Sequence, residues 1–95
     1  MLGDSAGLVR DFYQRQWTAE GAGRDRSDRA DLYYTVFTLN GCEALQLEIP
    51  EEKLQAWLQR FGEGDGLDLV HLTSLARCWS HFGPKKMPPG LAKAL

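Results

Sequence analysis

Apolar residues in this chain recur at helical spacing between glycine-rich breaks, and that alternation leaves few folds open to it. Leu8, Val9, Phe12, Tyr13 and Trp17 share one face of a helix predicted over residues 5–17, with Arg10, Gln14 and Arg15 off that face. Asp4 or Ser5 is placed to cap its start by accepting a backbone N–H. Residues 18–30 carry charges and two glycines but almost nothing apolar, and they read as a loop. A second helix is expected from an Asp31 cap to about Leu47, carrying Leu32, Val36, Phe37, Leu39, Cys42 and Leu45. Its apolar positions cover more than one face, so it should be largely buried. Gly41 interrupts it at about 1 kcal/mol relative to alanine, a loss that close packing against a neighbouring helix would explain.

Ile49-Pro50-Glu51-Glu52 is a helix start, with proline at the first helical position and acids in the first turn. Leu54, Trp57, Leu58 and Phe61 follow at i, i+3, i+4 and i+7, and Gly62 is a natural stop. After the break Gly62-Glu63-Gly64-Asp65-Gly66, Asp68 caps a fourth helix that presents Val70, Leu72, Leu75, Ala76, Trp79 and Phe82. Gly83-Pro84 ends it, and Pro88-Pro89-Gly90-Leu91 resembles the opening of another. So short a helix is unstable in water without packing. The tail therefore reads either as the edge of a longer repeat protein or as a last turn docked on its own body.

Ninety-five residues make one small domain, 1–95. Hydrophobic residues at 43% and aromatics at 11% suffice for a packed core. The net charge of −2, without a basic stripe, gives nucleic acid nothing to bind. The acids from Glu43 to Asp68 read as a solvated face, and Lys85, Lys86 and Lys93 as a basic tail. Met1-Leu2-Gly3-Asp4-Ser5 has no basic n-region, and no run approaches the roughly 18 apolar residues of a membrane span. Cys42 and Cys78 sit in helical apolar patterns, which favours free thiols in a reducing, cytoplasmic setting.

Alternating helices and glycine loops imply an all-α fold of two antiparallel helical hairpins. Helices two and four each follow a Gly/Asp-rich loop and an aspartate cap, Asp31-Leu32 and Asp68-Leu69, which stand 37 residues apart. The loop Gly21-Ala22-Gly23-Arg24, followed by Asp31-Leu32-Tyr33-Tyr34-Thr35 and Gly41, resembles the turn-into-helix joint of the protein prenyltransferase β-subunit family and related terpenoid cyclases. The similarity covers about residues 9–47. It implies a segment of an αα-toroid, a partial ring of hairpins whose greasy interior holds isoprenoids. Asp31, Tyr33 and Thr35 match the family's Asp-x-Tyr-His-Thr signature.

The resemblance carries its own restriction. Tyr34 stands where catalytic members have a zinc-binding histidine, and a phenol is a poor substitute for imidazole on zinc. The family's other zinc ligands have no counterpart, so no metal or cofactor is expected and the chain alone should not transfer prenyl groups. The implied substrate-binding candidates are Arg24, Asp31, Tyr33 and Tyr34, facing an isoprenoid diphosphate or partner helical repeats. Arg24, Arg26 and Arg29 beside Gly21-x-Gly23 could receive a diphosphate, although Asp25, Asp28 and Asp31 alternate with them. Tyr33, Tyr34 and Phe37 could line an apolar cavity or simply belong to the core. Cys78 and His81 at i, i+3 could share a metal, yet Cys78 reads more simply as a small buried hydrophobe. Glu63, Asp65 and Asp68 lack the ligand spacing of an EF-hand. The rival reading is a small helical interaction module that binds a partner helix or a second copy through open apolar faces.

Overall fold

The computed structural model describes residues 2–83 and 85–94. It is an elongated all-α body of 48 × 28 × 21 Å. Among the described residues five helices follow one another: α1 (Leu2–Arg15), α2 (Leu32–Leu45), α3 (Glu51–Gln59), α4 (Leu69–Ser80) and α5 (Pro89–Ala94). Helix α4 is the hub, packing on α2, α3 and α5, while α1 packs on α2.

Both aspartate caps form as the sequence suggests. The Asp31 carboxylate accepts from the Tyr34 N–H at 2.9 Å and the Asp68 carboxylate from the His71 N–H at 2.8 Å. Each satisfies a first-turn donor that has no partner within its helix. Gly62 and Gly83, at φ 54° and 94°, end α3 and α4 with backbone that side chains other than glycine rarely adopt.

The direction of the helices follows from contacts at their ends. His71, in the first turn of α4, lies 3.6 Å from Asp31 at the start of α2. His81, which caps the end of α4, binds Glu43 in the last turn of α2 at 2.8 Å. Helices α2 and α4 therefore run parallel and in step. His81 also binds Glu51 in the first turn of α3 at 2.9 Å, so α3 runs back along α4 and the second hairpin is antiparallel. The parallel pair keeps the 37-residue register: Tyr33 with Val70, Val36 with Thr73, Phe37 with Ser74 and Asn40 with Arg77 line one groove.

The core joins Leu32 and Leu39 of α2, Leu54, Trp57 and Leu58 of α3, Leu75, Cys78 and Trp79 of α4, and Leu91 of α5. Leu91 is fully buried, so the last short helix docks on its own body. Burying a leucine contributes about 2 kcal/mol, the kind of stabilisation a six-residue helix needs to form at all.

Three local expectations are corrected. Helix α1 begins at Leu2, so Asp4 and Ser5 lie inside it. A capping residue needs non-helical backbone, which neither then has. Pro50 is the cap of α3 rather than its first helical residue. Helix α2 is not buried all round, since Tyr33, Phe37 and Leu45 are exposed, as is Val70 on α4. A parallel pair lying side by side covers only the flanks that face each other. No helix of the described residues is long and apolar enough to cross a membrane.

Candidate functional site

The glycine loop is built as a structural joint. Gly21, at φ 87°, passes so close to α3 that a Cβ would lie 2.8 Å from the Leu54 nitrogen. A Cβ on Gly23 would lie 2.7 Å from the Thr35 Cα. Only glycine allows these approaches. The buried Gly23 N–H donates to the Thr35 hydroxyl at 2.8 Å, and that hydroxyl donates onward to the Asp31 carbonyl at 2.6 Å. Gly21 and Ala22 give their N–H groups to Thr18, and Arg24 gives its own to Gln16. The amides that a diphosphate-binding loop would offer are all engaged inside the protein. Thr35 of the Asp31–Thr35 run is thus the pin that holds the loop to α2.

Arg24 folds back across this joint. Its Nη2 donates to the Trp17 carbonyl at 3.0 Å and its Nη1 stands 3.6 Å from Asp28. Its buried Nε meets no acceptor among the described residues. The pairing of arginine with neighbouring acid is therefore real at Arg24, while Arg26 stands at the surface nearby.

Between α1, the loop and α2 lies an open cleft of about 340 Å³, lined by Phe12, Tyr13, Tyr34 and Phe37 together with Gln16, Thr38 and the charged run Arg24-Asp25-Arg26. It falls within the size range of small-molecule pockets, with four aromatic residues in its lining. A second groove, about 390 Å³, runs along α2 and α4 past Tyr33, Val36, Phe37 and Val70. The four residues singled out from sequence are thus divided. Arg24 and Tyr34 face the cleft, Tyr33 faces the groove, and Asp31 is the cap between the helices. Phe37 lines both hollows, edge-to-face with Tyr33 at 4.9 Å between ring centres.

The two histidines have carboxylate partners on other elements that no local sequence pattern announces. His71 is held at Nδ1 by Asp68 at 2.8 Å, with Asp31 3.6 Å from Nε2. The Asp68 bond raises its pKa, partial burial opposes this, and Asp31 adds to the rise. His81, 13% exposed at its side chain, is bonded at both nitrogens, to Glu43 and Glu51. Burial works against its charged form, but the two carboxylates outweigh burial and its pKa is also raised. The usable sequence signal for His71 is its position, 37 residues beyond Tyr34 and in the same turn after an equivalent aspartate cap. For His81 there is none.

The metal reading of Cys78 and His81 finds no geometry. Cys78 is fully buried among core side chains, and burial pushes its thiol up to about 12. The carboxylates around each histidine sit on opposite ring nitrogens and cannot converge on one ion. Among the described residues no three ligating side chains are grouped to hold a metal. Glu63 packs against Gly90, and Asp68 serves its cap.

No protein-family model matches the chain, no curated protein matches it, and no solved structure matches it.

Proposed function

We propose that the chain is a pair of prenyltransferase-like helical repeats that binds an isoprenoid diphosphate without transferring it. The carrying observation is the α1–α2 cleft, where Phe12, Tyr13, Tyr34 and Phe37 share the lining with Arg24, Asp25 and Arg26. An apolar tail can lie against Phe12, Tyr34 and Phe37 while the exposed Arg26 takes the diphosphate, Arg24 being engaged with the Trp17 carbonyl and Asp28. Like-directed α2 and α4, each entered through an aspartate cap at a 37-residue step, support the repeat reading. Tyr34 in place of an imidazole supports binding without zinc chemistry.

The test is the melting temperature with farnesyl diphosphate, with farnesol and inorganic diphosphate as separate half-ligands. The whole ligand should stabilise more than either half, and Tyr34→Ala and Arg26→Ala should remove the effect. Equal stabilisation by inorganic diphosphate alone would reduce the site to a surface anion contact. Prenyl transfer by the purified chain would overturn the non-catalytic part.

A second reading rests on a separate observation. Leu8, Val9 and Phe12 are 67%, 44% and 53% exposed along α1, an apolar face without a covering element among the described residues. An interaction module would use that face for a partner helix or a second copy. Association that strengthens with concentration, ignores farnesyl diphosphate and disappears in Leu8→Glu would favour it.

A further inference from the structure

We infer that His71 and His81 form a two-ended latch, closed by protonation, that holds α2 and α4 side by side. The inference stands on the placement of these rings and is independent of whether an isoprenoid binds. They are the only two histidines in the chain. One lies in the first turn of α4 and the other just past its end, and each joins α4 to α2 through a carboxylate. Between them the outer side of the seam is open as the 390 Å³ groove, lined there by Val36, Asn40, Thr73 and Arg77. Among the described residues the ion pairs between α2 and α4 lie at these two ends.

The chemistry of the ring makes the tie depend on its proton. His81 contacts a carboxylate oxygen at each nitrogen, at 2.8 and 2.9 Å. Only imidazolium carries an N–H on both nitrogens. When the proton leaves, one nitrogen presents a lone pair to a carboxylate, and one bond becomes a repulsion. Either Glu43 of α2 or Glu51 of α3 is then released. At His71 the same loss sets a lone pair against Asp68 or Asp31. The charged groups facing these rings are Glu43 from α2 and Glu51 from α3 at His81, where Arg77 shares the same surface hollow, and Asp31 from α2 with Asp68 at His71. Both thiols are shifted upward, so neither titrates in the range where the histidines do.

The sign is fixed by linkage. Both folded-state values lie above the ordinary histidine value of 6.5. The stabilisation is complete below 6.5 and is lost as pH rises through the folded values. Each histidine can lower the folded-to-unfolded ratio by at most about tenfold per pH unit across that interval.

The experiment follows both imidazoles by NMR in the intact chain from about pH 5 to 9, a range that brackets histidine titration. Amide exchange is read alongside in the first and last turns of α2 and the first turn of α3. Both rings should titrate above the free-histidine value, and exchange corrected for intrinsic rate should accelerate over the same interval. Glu51→Gln keeps an acceptor but removes a charge, so it should move the His81 midpoint and the exchange step to lower pH together. His81→Gln should flatten the step at the last turn of α2 while leaving the one due to His71 at the first. Rings titrating at the ordinary value, or exchange that follows the same pH course in His81→Gln, would overturn the latch. The wild-type titration decides the first point even if a variant fails to fold.

Discussion

The aromatic ring of Tyr13 lies against the backbone of Gly41, where even a single added methyl group would overlap it. This contact is one fastening of α1 to α2. Alanine would ordinarily gain about 1 kcal/mol over glycine inside a helix. In Gly41→Ala the half-exposed Tyr13 ring has to turn aside, which should cancel that gain or turn it into a small loss. Trypsin cleavage at Arg15 should quicken as α1 lifts away. In Tyr13→Ala the same Gly41→Ala change should become stabilising, and a double-mutant cycle in urea reads the difference.

Thr35 is the second fastening, and its hydroxyl both accepts and donates. Thr35→Val keeps the shape but leaves the buried Gly23 N–H unpaired. The expected loss is about 1–3 kcal/mol. Thr35→Ser should recover most of it. Equal urea midpoints for the valine variant and the native chain would show that the hydroxyl has no such role.

On the acid side two surface carboxylates, Asp25 and Asp68, add a pH dependence of their own. Hydrogen bonds from the His71 N–H and ring lower the Asp68 pKa, and loop N–H groups, with Arg29 foremost, lower that of Asp25. Their stabilisation is present above the ordinary value of 3.8 and disappears as pH falls through the lowered values. Melting temperature should drop in that range, and Asp68→Asn should make the drop shallower.

Cys78 should be chemically silent. Its thiol is fully buried and pushed up to about 12, and the thiolate is the reactive form. Cys42, also fully buried, is shifted in the same direction, chiefly by burial. Maleimide labelling should therefore wait for unfolding. Rapid labelling of either cysteine in the native chain would contradict this packing.

Leu91 ties the C-terminal helix to the body. Leu91→Ala should cost about 2–4 kcal/mol, the range for a leucine deleted from a core. Loss of α5 helicity should accompany it, visible in amide exchange before the remaining helices open.

The helices were legible because their start and stop residues act locally. Asp31 and Asp68 need only their own first turns to be caps, and Gly62 and Gly83 need only their own dihedrals. Gly41 could be read as a packing site because a helix rarely accepts glycine without a neighbour. What the sequence did not disclose is which flank of each helix faces its partner. Val70 and Phe37 fit an apolar stripe, yet both are exposed because the parallel pair meets along other positions. The histidine ties were hidden for the same reason. Glu43 and Glu51 lie 38 and 30 residues from His81, and no local pattern links them. The four residues named for the site include two, Arg24 and Tyr34, that share a cleft, whereas Asp31 and Tyr33 are turned elsewhere by the helical rotation between neighbours.

Two helices that point the same way cannot be joined by a tight turn. The chain has to travel back along their length, and α3 makes that journey before α4 can begin. Contacts between α2 and α4 consequently close a long stretch of polypeptide, which is slower to organise than the neighbour-to-neighbour meetings of an up-and-down bundle. Folding should therefore wait on that return path.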